Sequence, residues 1–192
     1  VSDDTAAERH RRVAQRFGSA VAGVAPGDWD SPAPVAGWTA RHVLDHLLEW
    51  SRAFLASGAG VELPAGPSTS TDPAGAWAVH AAAVQELVEE PGDRSLSNPH
   101  TGDVPLAVAI DQFYTSDVFM HTWDLARATH QDDRLDEAEC ANLLAGMEPL
   151  DQMLRESGQY GARVPVPDDA TAQDRLVAFI GRDPLWRPPA RS

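Results

Sequence analysis

Asp117 and His121 stand four residues apart in a stretch that reads as helix. That spacing puts a carboxylate and an imidazole on one face, one turn apart, within reach of a single ion. Both groups suit first-row divalent cations, so Asp-x-x-x-His on a helix is a sensible metal half-site. On a wheel, Leu106, Ile110, Phe113, Tyr114 and Ala128 fall within roughly 80° of one another. Asp117 and His121 land inside that apolar sector, and Asp124 lands at its edge. Polar groups on a core-facing stripe are costly without partners. Taken alone, the pair reads more simply as a plain helical hydrogen bond. Phe119, Met120 and Trp123 occupy the other side, so the segment is apolar nearly all round. It is either central to the fold or part of a subunit contact, the second reading making the protein a homodimer.

An earlier helical stretch supplies the other half. Val43, Leu44, Leu47, Ser51 and Phe54 define its apolar face, with Trp50 at the flank. His46 lies roughly 40° beyond Trp50, at the boundary between core and solvent, and His42 about 40° further out. His46 is therefore the better ligand, while His42 faces a rim or water. Other candidates carry less. His10, His80, His100 and His130 occupy surface-like or loop positions and read as solvated. Cys140 has no basic cluster to lower its pKa and reads as a buried, inert thiol. Gly-x-Ser-x-Gly, Gly-x-Gly-x-x-Gly and phosphate-loop patterns are absent, which leaves hydrolase-elbow and nucleotide readings without support.

The elements that must position these residues are helices. Apolar recurrence at three and four residues predicts them at 4–24, 39–57, 72–90, 103–130 and 136–157. Thr39 and Asp72-Pro73 are start signals, and Pro26-Gly27, Gly58, Pro91-Gly92 and Gly158 are stops. Residues 63–71 and 93–102 read as loops, and almost nothing reads as a strand. The tail adds an extended piece at 163–167 and a helix at 169–180. The expected fold is all-α, a four-helix bundle with an additional helix and a short C-terminal extension. Its domain division is a bundle over 1–158 and an extension over 159–192 packing on it.

Composition narrows the function classes. The chain has 192 residues, with 15 basic against 29 acidic side chains and a net charge of −14. Every cation among Lys and Arg is arginine, so Schiff-base and phosphate-loop lysine chemistry is excluded. Nucleic acid is an unsuitable partner for so acidic a chain. No apolar run is long enough for a bilayer, so no membrane role is expected. A single cysteine forbids an internal disulfide, and no secretory signal is visible; both fit a cytoplasmic location.

Two segments resemble a known family. Gly37-Trp38-Thr39-Ala40-Arg41-His42-Val43-Leu44-Asp45-His46-Leu47 resembles the opening motif of the mycothiol-dependent maleylpyruvate isomerase N-terminal domain, within the DinB/YfiT-like superfamily of metal-binding four-helix bundles. His121-Thr122-Trp123-Asp124-Leu125-Ala126-Arg127 resembles the H-x-WDLARA signature of one branch, and Gly181-Arg182-Asp183-Pro184 its closing segment. The resemblance implies a DinB-like bundle whose metal ligands are His46, Asp117 and His121. Asp117 stands where the isomerase has glutamate and many relatives histidine. The isomerase also carries a larger second domain that this chain lacks, so the tail must supply that domain's contribution to substrate binding or do without it.

The implied cofactor is a divalent metal, zinc or else nickel, and the implied partners are a small-molecule substrate and mycothiol. The implied activity is S-transfer to a small electrophile, or its cis–trans isomerisation, by a low-molecular-weight thiol. A non-catalytic metal-binding or small-ligand-binding protein of the same superfamily is the alternative. Asp124 is a candidate for orienting a liganding histidine. Arg41 and Arg127 are candidates for a substrate carboxylate, a surface arginine being the plain reading of each.

Overall fold

The computed structural model describes residues 4–98 and 102–189. The expectation for His100 falls outside them. Helix α1 is Ala6–Ala22, opened by a reciprocal cap: Thr5 Oγ accepts from Glu8 N–H, and Glu8 Oε2 accepts from Thr5 N–H at 2.9 Å. Helix α2 is Ala40–Ala59, capped by Thr39 as its sequence signals, and it closes on Gly60 at φ 63, the left-handed geometry that glycine adopts without penalty. Helix α3 is Pro73–Glu89, where Asp72 accepts from Gly75 N–H at 2.8 Å and Pro73 takes the first turn.

Strands β1 (Ser95–Asn98) and β2 (Gly102–Pro105) form an antiparallel pair with Leu96 opposite Val104. Next comes one long rod in three parts: α4 (Leu106–Ala109), a π-helical segment (Ile110–Thr115) and α5 (Ser116–Ala128). Helices α6 (Glu137–Met147), α7 (Asp151–Glu156) and α8 (Ala172–Phe179) complete the chain.

Helix α1 packs on α3 and α5, and α2 packs on the same two neighbours, so four rods enclose one core. Phe17, Leu44, Leu47, Ile110, Tyr114 and Leu125 are fully buried in it. This is the all-α bundle expected from the pattern, of the DinB-like kind that the resemblance implies. Helix α8 lies against α6. Arg9 and Arg12 of α1 tie α6 to the bundle through Glu139, at 2.9 and 2.8 Å. Phe119, Met120 and Trp123 are buried within this single chain, so α5 is central to the bundle.

Four expectations need correction. Residues 102–105 start no helix; they pair with β1, inside what reads as a loop. The hairpin forms because Leu96 buries its side chain against α2, where a Cβ on Gly58 would stand 2.7 Å from Leu96 Cγ. The helix expected over 136–157 breaks into a 3₁₀ turn at Glu148–Leu150, where Pro149 has no N–H to donate. The tail helix begins three residues later than expected, because Thr171 accepts from Asp174 N–H at 3.0 Å and acts as its cap. Finally, His10 and His80 are not solvated: they are 1% and 0% exposed. Each continues the buried stripe of its helix, beside Val13, Ala14 and Phe17 in α1 and beside Ala76, Trp77 and Val84 in α3. His130 is exposed as expected.

The π segment also alters the phase of the rod. Its wider turn lets Ser116 Oγ donate to the Asp111 carbonyl at 3.3 Å, and Arg9 donates to the same carbonyl at 2.9 Å. A uniform wheel drawn across it therefore places residues before and after in the wrong relation. Asp117 and His121 lie beyond it in regular α-helix and keep their mutual spacing.

Candidate metal centre

Helices α2 and α5 pack side by side and bring His46 against Asp117 and His121. His46 Nε2 is 3.2 Å from Asp117 Oδ2, and His121 Nε2 is 3.5 Å from Asp117 Oδ1. The two imidazole rings lie 4.9 Å apart, edge to face. One ligand atom from each residue falls within 4.8 Å of the others, so the three can hold a metal ion.

The donor set supports the fit. Bonds of roughly 2.0–2.1 Å at a tetrahedral centre separate ligand atoms by about 3.3 Å, close to the two separations above. Tautomer chemistry points the same way. His121 Nδ1 donates to Asp124 Oδ2 at 2.8 Å, so the neutral ring turns the lone pair of Nε2 toward Asp117. A lone pair facing a carboxylate oxygen is repulsive unless a cation or a proton stands between them.

Each charge in the site has a physical anchor. Burial alone would raise the pKa of Asp117, but the electrostatic influence of the adjoining His121, the bond from His46 and the Trp50 indole N–H at 2.9 Å together hold it below the usual carboxylate range. Asp124 is completely buried, and burial again pushes upward. The Arg182 guanidinium and the hydrogen bond from His121 outweigh it, so Asp124 stays ionised. Arg182 reaches Asp124 Oδ2 at 3.3 Å and donates to the Ile180 carbonyl at 2.8 Å, which links the tail to the centre.

The centre is sealed unevenly. His121 is 5% exposed at its side chain, Asp117 19% and His46 32%, so access comes from the His46 side. Trp38, just before the α2 cap, stacks parallel on His121 at 5.8 Å and tilts against His46 at 4.9 Å. The Tyr160 phenol is pushed up to about 12 by burial and by the charge of Asp117, and so keeps its proton at neutral pH.

The remaining candidates are elsewhere. His42 is exposed, and its Nδ1 accepts from Thr39 N–H at 3.0 Å, completing the α2 cap rather than the centre. Arg41 lies over the Trp29 ring at 5.3 Å and donates to the Thr69 carbonyl. Arg127 lies over Trp123 at 4.8 Å and pairs with Asp133 at 2.5 Å. Both guanidiniums are committed to structure. Cys140 is buried, and burial together with Glu137, Glu139 and Asp136 raises its thiol to about 12, an inert group.

Sequence reasoning missed two contacts. Trp50 stands at the flank of α2 but gives no sign that its N–H reaches Asp117. Arg182 sits 58 residues from Asp124, and only its place in the closing motif hints at a role.

Residues 10–126 match the family described as the mycothiol maleylpyruvate isomerase N-terminal domain. Two uncharacterized proteins of Mycobacterium tuberculosis, from strains CDC 1551 / Oshkosh and ATCC 25618 / H37Rv, are each 31% identical over 179 residues, spanning 90% of this chain and 95% of theirs. No solved structure matches the chain.

Proposed function

The chain belongs to the mycothiol maleylpyruvate isomerase N-terminal domain family, and from that premise we propose that it is a metal-dependent enzyme of low-molecular-weight thiol chemistry. The thiol is of the mycothiol type, and the reaction is S-transfer to a small electrophile or its cis–trans isomerisation. His46, Asp117 and His121 hold a divalent ion, zinc before nickel, both of which accept imidazole and carboxylate donors. When bound, such an ion lowers the pKa of a coordinated thiol and supplies thiolate character at neutral pH. The observation that carries the reading is a three-residue donor set open on the His46 side, the arrangement of catalytic rather than structural zinc sites.

The chain's own residues have distinct tasks. Asp124 fixes the His121 tautomer, and Arg182 keeps Asp124 ionised. The Trp50 N–H holds Asp117 Oδ2 in place, and Trp38 shields one side of both imidazoles from water. In isomerisation the thiolate sulfur forms a bond to an alkene carbon as the π pair moves onto the substrate's conjugated acceptor group. The former double bond rotates as a single bond, and the pair returns to re-form the double bond as the carbon–sulfur bond breaks and releases the thiolate. In transfer the carbon–sulfur bond remains and the adjacent carbon takes the thiol's proton.

Element-resolved metal analysis of purified protein is expected to find about one equivalent, lost in His46→Ala and in His121→Ala. Thiol consumption with a model electrophile should be lost in the same variants. Metal uptake with thermal stabilisation but no thiol consumption overturns the enzyme reading in favour of a binding protein without turnover.

A further inference from the structure

A second cluster of chemistry-bearing side chains lies in the bundle interior. His10 on α1, His80 on α3 and Tyr114 in the π segment are each 1% exposed or less. The Tyr114 ring is 6.0 Å from that of His10 and 5.7 Å from that of His80. Among the described residues, His10 Nε2, His80 Nδ1 and Tyr114 Oη have no hydrogen-bond partner. Buried polar atoms are rarely left so, and three neighbouring exceptions ask for one cause.

The neighbours determine which of these atoms donate. Gln85 Nε2 donates to the Ala7 carbonyl at 3.1 Å and to Glu89 at 2.8 Å, so its amide oxygen is what meets His10 Nδ1 at 2.7 Å. Nδ1 therefore carries the proton of His10, and Nε2 is a bare lone pair. Ser51 spends its hydroxyl proton on the Leu47 carbonyl at 2.6 Å, so at 3.0 Å it accepts from His80 Nε2–H. His80 Nδ1 is then the second bare lone pair. The cluster offers two acceptors and one phenolic O–H.

We infer that one water molecule is bound in the bundle core by His10 Nε2, His80 Nδ1 and Tyr114 Oη. Its two O–H groups serve the two imidazole lone pairs, and its oxygen accepts the phenol proton, so all three orphaned atoms are satisfied by one molecule. A buried water typically has about three such partners. A divalent cation is the poorer occupant, since no carboxylate is among these three groups and the buried phenol holds its proton. The water joins α1, α3 and the π segment, and through Ser51 it reaches α2. It therefore cross-links all four rods three residues before Asp117.

Water-selective cross-relaxation on the nitrogen-15-labelled full chain tests this. Long-lived water contacts to the ring protons of His10 and His80 are expected, with imidazole nitrogen shifts reporting the Nδ1–H and Nε2–H tautomers respectively. The nearly isosteric Tyr114→Phe removes one partner and should shorten the water's residence time about fivefold. Absence of long-lived water at both rings overturns the proposal, and so does either opposite tautomer. Zinc added to the His46→Ala/His121→Ala double variant should leave both sets of ring shifts unmoved. Stoichiometric movement of those shifts would make the cluster a cation site instead.

Discussion

Two places in this bundle combine a pair of imidazoles with a side-chain oxygen, and they have opposite chemistry. At His46, Asp117 and His121 the oxygen is an ionised carboxylate, and a third of the His46 side chain meets solvent. At His10, His80 and Tyr114 the oxygen is a neutral phenol, and all three side chains are sealed. A formal negative charge and a way in separate a centre suited to a cation from a pocket suited to water. The group beside the imidazoles and their access to solvent, not the imidazoles themselves, set the two clusters apart.

The largest expected effect is at the three candidate donors. His121→Ala should weaken zinc binding by more than the roughly 100-fold that marks the upper end for outer partners, read by chelator competition. The same assay on His80→Leu should show no change, and a matching loss there would erase the contrast between the two clusters. Asp124→Asn leaves the three donors in place but ends the ionic hold on His121 Nδ1, and a 10- to 100-fold weaker zinc affinity is expected.

Acid should act mainly through the sealed cluster. Burial lowers the pKa of His80 from 6.5 to about 3, with Arg52 and His10 acting in the same direction, and burial lowers His10 as well. The unfolded chain takes up the His80 proton near pH 6.5 and the folded chain only near pH 3, with His10 shifted in the same direction. Stability is thus fully present above pH 6.5 and falls as pH drops toward 3. Between pH 6.5 and 5 the loss from His80 alone is about 2 kcal/mol. Urea unfolding across that range measures it, and His80→Leu should flatten the slope. The smallest effect is expected for Trp50→Phe, which removes one hydrogen bond to Asp117 and should weaken zinc affinity about fivefold to tenfold.

Much of the bundle is legible along the chain because its signals are local. Thr39 and Asp72 cap their helices where the residue types say so, and Asp117 and His121 share a face because four residues make one helical turn. The stripes that bury His10 and His80 are also present, in Val13-Ala14-Phe17 and in Ala76-Trp77-Val84. A residue-by-residue habit of treating histidine as solvated hides them. The hairpin is less legible, since Leu96 becomes a strand residue only by packing on Gly58 of a distant helix.

The amino-acid order by itself determined the helical periodicity, the caps and the Asp117–His121 half-site, since each depends on residues within a turn or two of one another. Only the tertiary structure decided that His46 meets that half-site, that Arg182 reaches back to Asp124 and that two further imidazoles share the core with Tyr114. Those outcomes depend on how each rod is rotated and shifted against the next. Packing of the whole interior sets such relations, and no short stretch of chain encodes them.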